Sequence, residues 1–361
     1  MGPARIASGF ARGHRPPADL LQTAIAEARE KLSGQRITAA LFLFSPTLVA
    51  ISPATLHQQM RALSCLQIAT GTFPGIFTEK DQALGENACA VLLLCAPLGL
   101  TAQPGSSGQP ALAWGRLEHL QGGWLEQSPR FGSLSSRSGR FWYQAKPRDH
   151  LEMGFPGLSS QSLWSAGLRT LSAPLPVHWQ EGSLLLQLER YLALPLLAQN
   201  IPVSIRKDSR LPLEQLLMGE IRADALPDAP PEWLHIRATD LNRSGLWLER
   251  PLAENARAFL SLRDPAIAER DTRMALDHFG GSHDAPLFAW ISSSIGRDAS
   301  FFGQEDRDLC IWREQYPALP MLGAYGMGEL FPHRQRSHFL RYSKIYTVFF
   351  SAKQQDHRHG G

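Results

Sequence analysis

The segment LGAYGMGELF, residues 322–331, combines residue types that ligand-binding loops use. It holds three glycines, one aromatic side chain and one carboxylate: Gly323, Gly326, Gly328, Tyr325 and Glu329. Such glycines can cradle a phosphate, turn the chain sharply or let the backbone approach a ligand. The spacing GxxGxG runs opposite to the dinucleotide fingerprint GxGxxG, and the following residues do not favour a helix. We therefore do not predict a pyrophosphate site here.

A second cluster, SSSIGRD at residues 292–298, follows an apolar run. It lacks the GxSxG pattern of a nucleophile elbow, so its serines are not predicted to act as nucleophiles. Arg297, however, can bind a carboxylate or a phosphate through its forked guanidinium group. Because it comes just after a predicted strand, Arg297 is a candidate ligand contact.

The histidine spacing does not predict a metal site. His333 and His338 are five residues apart, which does not place two imidazoles on one helical face, and no HExxH occurs. His357 and His359 lie in the polar C-terminal tail. A single axial histidine for haem has no recognisable spacing, so the cofactor is unknown and haem stays an open alternative.

Two stretches of the chain share one order of elements, in which an apolar strand and a helix precede a glycine-rich segment that ends in a carboxylate. They are LFLFSP with GTFPGIFTE (41–46 and 71–79) and LFAWIS with GAYGMGE (287–292 and 323–329). This echo predicts two related halves with a ligand cleft between them. Glu79 and Glu329 end the two glycine loops, and Thr70 comes just before the first.

The hydrophobic periodicity predicts strands that alternate with helices. Helices are predicted at 18–33, 184–198, 266–279 and 306–316. Strands are predicted at 37–46, 86–97, 256–265, 285–294 and 342–351, with a hairpin formed by 233–240 and 244–251. Residues 57–69 are predicted to begin as a helix and to end as a strand. The fold class is therefore α/β, with α+β as the alternative, and mixed β-sheets flanked by helices.

Composition favours a folded protein without a global electrostatic field. Of 361 residues 43% are hydrophobic, and the net charge is only +3, so nucleic acid is not an expected partner. One basic segment with interleaved aromatics can suit single-stranded nucleic acid, but we favour a solvated hairpin or lid loop. Its basic residues are Arg130, Arg137, Arg140, Lys146 and Arg148.

Apolar runs are too short or too interrupted for membrane insertion, and no secretory signal is recognised. The four cysteines stand on apolar stretches without a CxxC pair, which is typical of reduced thiols in a cytosolic protein. We therefore expect a soluble protein in the cytoplasm.

Four segments of the C-terminal half resemble, in order, the C-terminal domain of FIST proteins. They are LRDPAIAERDTRMALDHF, LFAWISSSIGRDASFFG, LPMLGAYGMGELF and YSKIYTVFF. The N-terminal half is similar to the FIST N domain through its early helix, LFLFSP and ATGTFPGIFTE, so the resemblance covers about residues 18–350. Ser294 stands where the family pattern has a cysteine.

The resemblance implies two domains and a sensory function. A FIST N-like domain is expected at 1–200, with 1–17 as a flexible arm, a FIST C-like domain at 201–351, and a disordered tail at 352–361. FIST proteins are sensory modules of signal transduction that bind small ligands such as amino acids, and some relatives bind haem. No output domain is recognised in this sequence, so the expected output partner is a separate signalling protein.

We expect a non-catalytic module that binds a small, amino acid-like molecule. The candidate ligand contacts are Thr70, Glu79, Arg297, Gly323, Tyr325, Gly326, Gly328 and Glu329, with no catalytic or metal-binding residue. Alanine at Arg297 or Glu329 is expected to weaken binding and to leave the melting temperature nearly unchanged. The alternatives are a haem-binding gas sensor, a hydrolase or transferase with a cryptic site, and a scaffold that uses Trp142, Trp164 and Trp179.

Overall fold

The computed structural model describes residues 4–46, 51–102, 109–120, 122–205, 211–226, 228–280 and 285–352. About 24% of the chain is helical and 44% is in strands that form mixed sheets with flanking helices. The predicted α/β class is therefore confirmed.

The chain divides into two compact units. The first contains Met1–Ser165 and Thr272–Gly361, and the second is Ala166–Asp271, so the second unit is inserted into the first along the sequence. The predicted domain boundary at residues 200 and 201 lies inside the second unit. Strands before and after that boundary pair with each other there, which a linear division of the sequence does not anticipate.

Helices of the described residues flank the sheets. They are α1 (Pro17–Lys31), α2 (Pro53–Ala62), α3 (Gly122–Gln127), α4 (Ala193–Asn200), α5 (Pro265–Gly280), α6 (Ala299–Phe302) and α7 (Arg307–Gln315). Helix α1 starts with a proline, whose missing N–H costs nothing at the first helical position. Its buried face follows the predicted spacing: Leu20, Leu21, Ala24, Ile25 and Ala28.

The strands of the first unit precede and follow those of the second. Before the insertion they are β1 (Ile6–Arg12), β2 (Ile37–Phe44), β3 (Gln67–Thr72), β4 (Gly75–Thr78), β5 (Gln82–Leu84), β6 (Ala88–Cys95), β7 (Ala111–Arg116), β8 (Arg130–Ser135), β9 (Phe141–Tyr143), β10 (Lys146–Arg148), β11 (His150–Met153) and β12 (Leu158–Ser165). The second unit contains β13 (Leu168–Thr170), β14 (Leu175–Glu181), β15 (Leu184–Leu188), β16 (Tyr191–Leu192), β17 (Leu216–Ile221), β18 (Glu232–Asp240), β19 (Gly245–Leu248) and β20 (Arg257–Arg263). The first unit then resumes with β21 (Phe288–Ser294), β22 (Met321–Gly326), β23 (Gly328–His333), β24 (Arg336–Leu340) and β25 (Lys344–Ser351).

The first unit contains one strand arrangement twice, once in its first half (Met1–Ser165) and once in its second half (Thr272–Gly361). In the N-sheet, ordered β1-β6-β2-β3-β9-β10, β2 is parallel to β3 and antiparallel to β6. In the C-sheet, ordered β12-β25-β21-β22-β4-β5, β21 is parallel to β22 and antiparallel to β25. Each parallel pair is joined through helices, α2 in one case and α6 with α7 in the other. The sequence echo therefore marks a repeated strand–helix–strand unit.

The two glycine-rich segments are strands that pair with each other, not loops that line an open cleft. Strand β4 leaves the first half and pairs antiparallel with β22, so Gly323 lies opposite Phe77 and Tyr325 opposite Gly75. A Cβ on Gly75 would lie 2.7 Å from the Tyr325 ring, and a Cβ on Gly323 would collide with the Phe77 ring. The glycines leave room for the aromatic ring of the opposite strand.

A five-stranded sheet, ordered β11-β7-β8-β23-β24, completes the first unit. Its strand β23 follows β22 after a single residue, Met327. Leu41 of the N-sheet, Trp114 of the five-stranded sheet and Trp290 of the C-sheet belong to one buried core. Separate apolar clusters lie under α1 with α2 and under α5 with α7. Both faces of β2 are buried, which explains its nearly continuous apolar sequence.

The second unit is a closed β-sheet. Its strands follow the order β13-β20-β14-β15-β19-β18-β17, and β17 also pairs with β20, which closes the ring. The predicted hairpin of residues 233–240 and 244–251 is confirmed as β18 and β19. The predicted helix at 184–198 is wrong in its first half, which is β15, and correct only for α4. Closure of the sheet buries the leucines of β15 and overrides their helical spacing.

The N-terminal arm also differs from expectation. Residues 1–17 were expected to be flexible, but Ile6–Arg12 forms β1, which pairs along its whole length with β6. Burial of both faces of the strand, with Ile6–Gly9 buried in succession, accounts for this order. Residues 353–361 of the predicted tail lie outside the described residues. Among the described helices, none is both long and apolar enough to cross a bilayer.

Candidate ligand-binding site

The predicted site residues lie in different surroundings within the first unit. Glu79 lines a pocket, whereas Arg297 and Tyr325 belong to a buried ionic network. Glu329 is buried in β23, and Thr70 is buried in β3. Gly323 lies inside β22 opposite the Phe77 ring, Gly326 ends β22, and Gly328 begins β23 beside the Phe339 ring.

Arg297 directs its guanidinium group entirely into the protein. It lies just after β21 and is 1% exposed. Its Nε donates to Oδ2 of Asp308 at 2.7 Å, and its Nη1 donates to the backbone carbonyl of Ser165 at 2.5 Å. The hydroxyl of Thr272 donates to the other oxygen of the Asp308 carboxylate at 2.5 Å. These contacts fix the turn after β21 against the end of β12, α5 and the start of α7.

Lys344 extends the same network on β25. Its Nζ lies 3.0 Å from both carboxylate oxygens of Asp306 and 3.8 Å from Oδ2 of Asp308. Tyr325 donates its hydroxyl to Asp306 at 2.6 Å. Burial, followed by the charge of Asp306, raises the pKa of Tyr325 well above its usual value, so the hydroxyl stays a donor.

The network is balanced in charge, since Arg297 and Lys344 face Asp306 and Asp308. All four side chains are at most 1% exposed. Removing charges from water is costly, and here each charge has a close partner that offsets the cost. The arrangement therefore suits a fixed connection between strands and helices better than direct contact with a ligand.

Glu329 differs from these residues because its carboxyl group is buried without an ionic partner. Neither oxygen makes a hydrogen bond of ordinary geometry with a described residue. Burial raises the pKa of Glu329 well above its usual value, although the Ser343 backbone N–H and the charges of Arg297 and Arg341 act in the opposite direction. Burial therefore favours the neutral form of this carboxyl group.

A small pocket lies where the two halves of the first unit meet. It has a volume of about 260 Å³ and is lined by Ala4 and Ile6–Ser8 of the N-terminal segment and by Pro317, Ala318 and Pro320 before β22. Lys31, Glu79 and Lys80 supply its charges. The volume is below the roughly 300–1,000 Å³ of pockets for drug-sized ligands, so the pocket suits a small metabolite.

Glu79 is held firmly at the wall of this pocket. Ser8 donates its hydroxyl to the two carboxylate oxygens at 2.5 and 2.6 Å, and the Met321 backbone N–H donates to Oε2 at 3.1 Å. Arg313 of α7 donates to the backbone carbonyl of Glu79 at 2.9 Å. The carboxylate thus connects β1 with β22 and has a fixed orientation.

Lys31 lies beside this carboxylate and also donates to the Ser8 backbone carbonyl at 2.6 Å, whereas Lys80 pairs with Glu27. Lys31 Nζ is 3.5 Å from Oε1 of Glu79, and Lys80 Nζ is 2.8 Å from Oε1 of Glu27. The hydrogen bond to Glu27 raises the pKa of Lys80. Burial acts to raise the pKa of Glu27, but hydrogen bonds from Lys80 and the Phe10 backbone N–H, with the charge of Lys31, keep it below its usual value. The pocket therefore presents fixed charges of both signs.

Comparisons with known proteins do not assign this chain to a family. No family model matches it, and no curated protein is detectably similar to it.

The sequence named Glu79 as a candidate, and the structure places it at the wall of this pocket with residues that the sequence did not suggest. Ser8 was assigned to a flexible arm, and Lys31 and Lys80 are ordinary surface residues by sequence. They meet only because β1 and α1 lie beside the end of β4, and no local motif predicts this contact. The echo of carboxylates at Glu79 and Glu329 is not reproduced as a shared site, since Glu329 has no part in the pocket lining.

Chemically, the pocket can bind an ammonium group and a carboxylate at the same time. Glu79 can accept from an ammonium group, and Lys31 and Lys80 can donate to a carboxylate. Among the described residues, no three histidine, cysteine, aspartate or glutamate side chains converge as a metal site.

Proposed function

We propose that the chain is a non-catalytic, cytoplasmic sensory module of the FIST type that binds a small amino acid-like zwitterion in the Glu79 pocket. The observation that carries the proposal is the pair of opposite charges on the walls of one small pocket. The ligand ammonium group would bind Glu79, and its carboxylate would bind Lys80 and Lys31. The sequence resemblance to FIST proteins supports the sensory role.

The position of the pocket suits a signalling function. Glu79 receives hydrogen bonds from Ser8 in the first half and from Met321 in the second, so a ligand at Glu79 contacts the connection between both halves. A ligand that binds one arrangement of these halves more tightly than another shifts their equilibrium. The output would be read by a separate signalling protein.

A thermal-shift screen with free amino acids and related zwitterions tests the proposal. A ligand at about 100 times its Kd adds about 2.7 kcal/mol to the stability of the native state, which raises the melting temperature measurably. Lys80→Gln should abolish most of this gain, because Lys80 is largely exposed and serves the ligand more than the fold. Lys146→Gln, which removes an exposed lysine from β10, should bind like the wild type.

Failure of every zwitterion to raise the melting temperature would refute the proposal, as would equal binding by Lys80→Gln. The haem-sensor alternative has its own signal, a Soret band after purification with haem supplied.

A further inference from the structure

The hairpin β23–β24 brings together two histidines that are five residues apart in sequence. Phe331 lies opposite His338, and His333 lies opposite Arg336, so the two imidazoles are diagonal neighbours on one face of the hairpin. Their ring centroids are 5.5 Å apart and their planes form an angle of 63°. The spacing that argued against a helical metal site therefore places both rings on one face of a hairpin.

The ring separation is close to that of two imidazoles sharing one metal ion. A zinc–nitrogen bond is about 2.0–2.1 Å long, and a ring centroid lies about 1 Å behind the nitrogen, so two rings at a tetrahedral angle are about 5 Å apart. Neutral imidazole suits zinc, copper and nickel ions.

The surroundings of His338 favour its role as a ligand. Its Nε2 is buried and accepts or donates no hydrogen bond among the described residues. The charge of Arg336 opposes a bound cation and favours moderate rather than tight binding.

We infer that His333 and His338 form a two-histidine site for a divalent transition-metal ion of the zinc, nickel and copper group. Water would complete the coordination, since no third histidine, cysteine or carboxylate converges there within the described residues. This site is separate from the Glu79 pocket and does not depend on the function proposed for it.

Metal titration of the full chain tests the inference. The background is the His357→Ala/His359→Ala variant, because the tail histidines lie outside the described residues and can bind metal independently. We expect one Cu²⁺ or Zn²⁺ per chain by calorimetry, and at least tenfold weaker binding after either His333→Ala or His338→Ala. His150→Ala removes a half-exposed histidine from β11 and should change nothing.

The spectrum of bound Cu²⁺ gives a second readout. Nitrogen hyperfine splitting should correspond to two imidazoles in the background protein and to one after loss of either ligand. His333→Ala serves as the primary test if His338→Ala fails to fold. No binding in the background protein, or unchanged binding and splitting in the His333→Ala variant, would overturn the inference.

Discussion

At the scale of single residues, Arg297 has a different role from the one its position suggests. Its place just after a strand is typical of ligand contacts, yet its donors go to Asp308 and Ser165 inside the protein. Because the side chain is only 1% exposed and bonds to groups inside the protein, Arg297 belongs to an ionic network. We therefore no longer expect Arg297→Ala to leave the melting temperature nearly unchanged.

Arg297→Ala should destabilise the protein by about 3–5 kcal/mol, because it leaves the buried carboxylate of Asp308 without its main partner. Urea unfolding measures this loss. Arg270→Ala breaks the exposed pair with Asp271 and should cost less than about 1 kcal/mol. A loss below about 1 kcal/mol for Arg297→Ala would contradict the network and restore the ligand-contact hypothesis.

Glu329 leads to a prediction about pH. Its folded-state pKa is raised, so the folded protein binds this proton more tightly than the unfolded chain does. The stabilising contribution is complete below the unfolded pKa, about 4.3, and is lost as the pH rises toward the folded value. At neutral pH the group therefore costs stability.

Glu329→Gln keeps the shape of the neutral acid and removes this cost. The variant should be more stable than the wild type at pH 7, and the difference should shrink as the pH falls toward 4. Urea unfolding at several pH values measures the difference. A variant that is less stable at pH 7 would indicate an ionised Glu329 with a stabilising partner.

At the scale of elements, the two glycine-rich segments are paired strands that connect the two halves of the first unit. Strand β4 of the first half completes the C-sheet beside β22 of the second. Glycine and aromatic residues alternate across this pair, so each ring occupies the space that a side chain would fill on the opposite strand.

Gly323→Ala tests this complementarity. Its Cβ would meet the Phe77 ring and lie 2.7 Å from the backbone carbonyl of Ile291, so we expect a loss of about 1–3 kcal/mol. In a double-mutant cycle, Phe77→Ala should relieve part of this loss and give a coupling of about 0.5 kcal/mol or more. Gly123→Ala, at an open position, is the control. Strict additivity would contradict the proposed ring–glycine contact.

Much of the secondary structure was predictable because its signals are local. The periodicity of α1, the apolar run of β2 and the turn between β18 and β19 each predicted the element that forms. The helix expected at 184–198 was partly wrong because ring closure of the second unit determines β15. The glycine tract was interpreted as a loop because sequence does not show that an aromatic strand lies opposite it.

At the scale of the whole molecule, the repeated strand–helix–strand unit accounts for the position of the candidate pocket. The two copies are joined by β4, and Glu79 follows directly at the end of that strand. The echo was visible in the sequence, and Glu79 was already a candidate because it ends the first glycine segment. The sequence did not identify Ser8, Lys31 or Lys80, because their meeting depends on contacts between segments far apart in the chain.

The backbone amide of Met321 reports directly on whether a ligand binds at Glu79, because its N–H donates to the Glu79 carboxylate. A zwitterion that raises the melting temperature should be titrated while amide resonances are followed by NMR. We expect saturable shifts of the Met321 and Lys80 amides at the calorimetric Kd, and their loss in Lys80→Gln at the same ligand concentration. Saturable binding that leaves both amides unchanged would contradict a ligand site at Glu79.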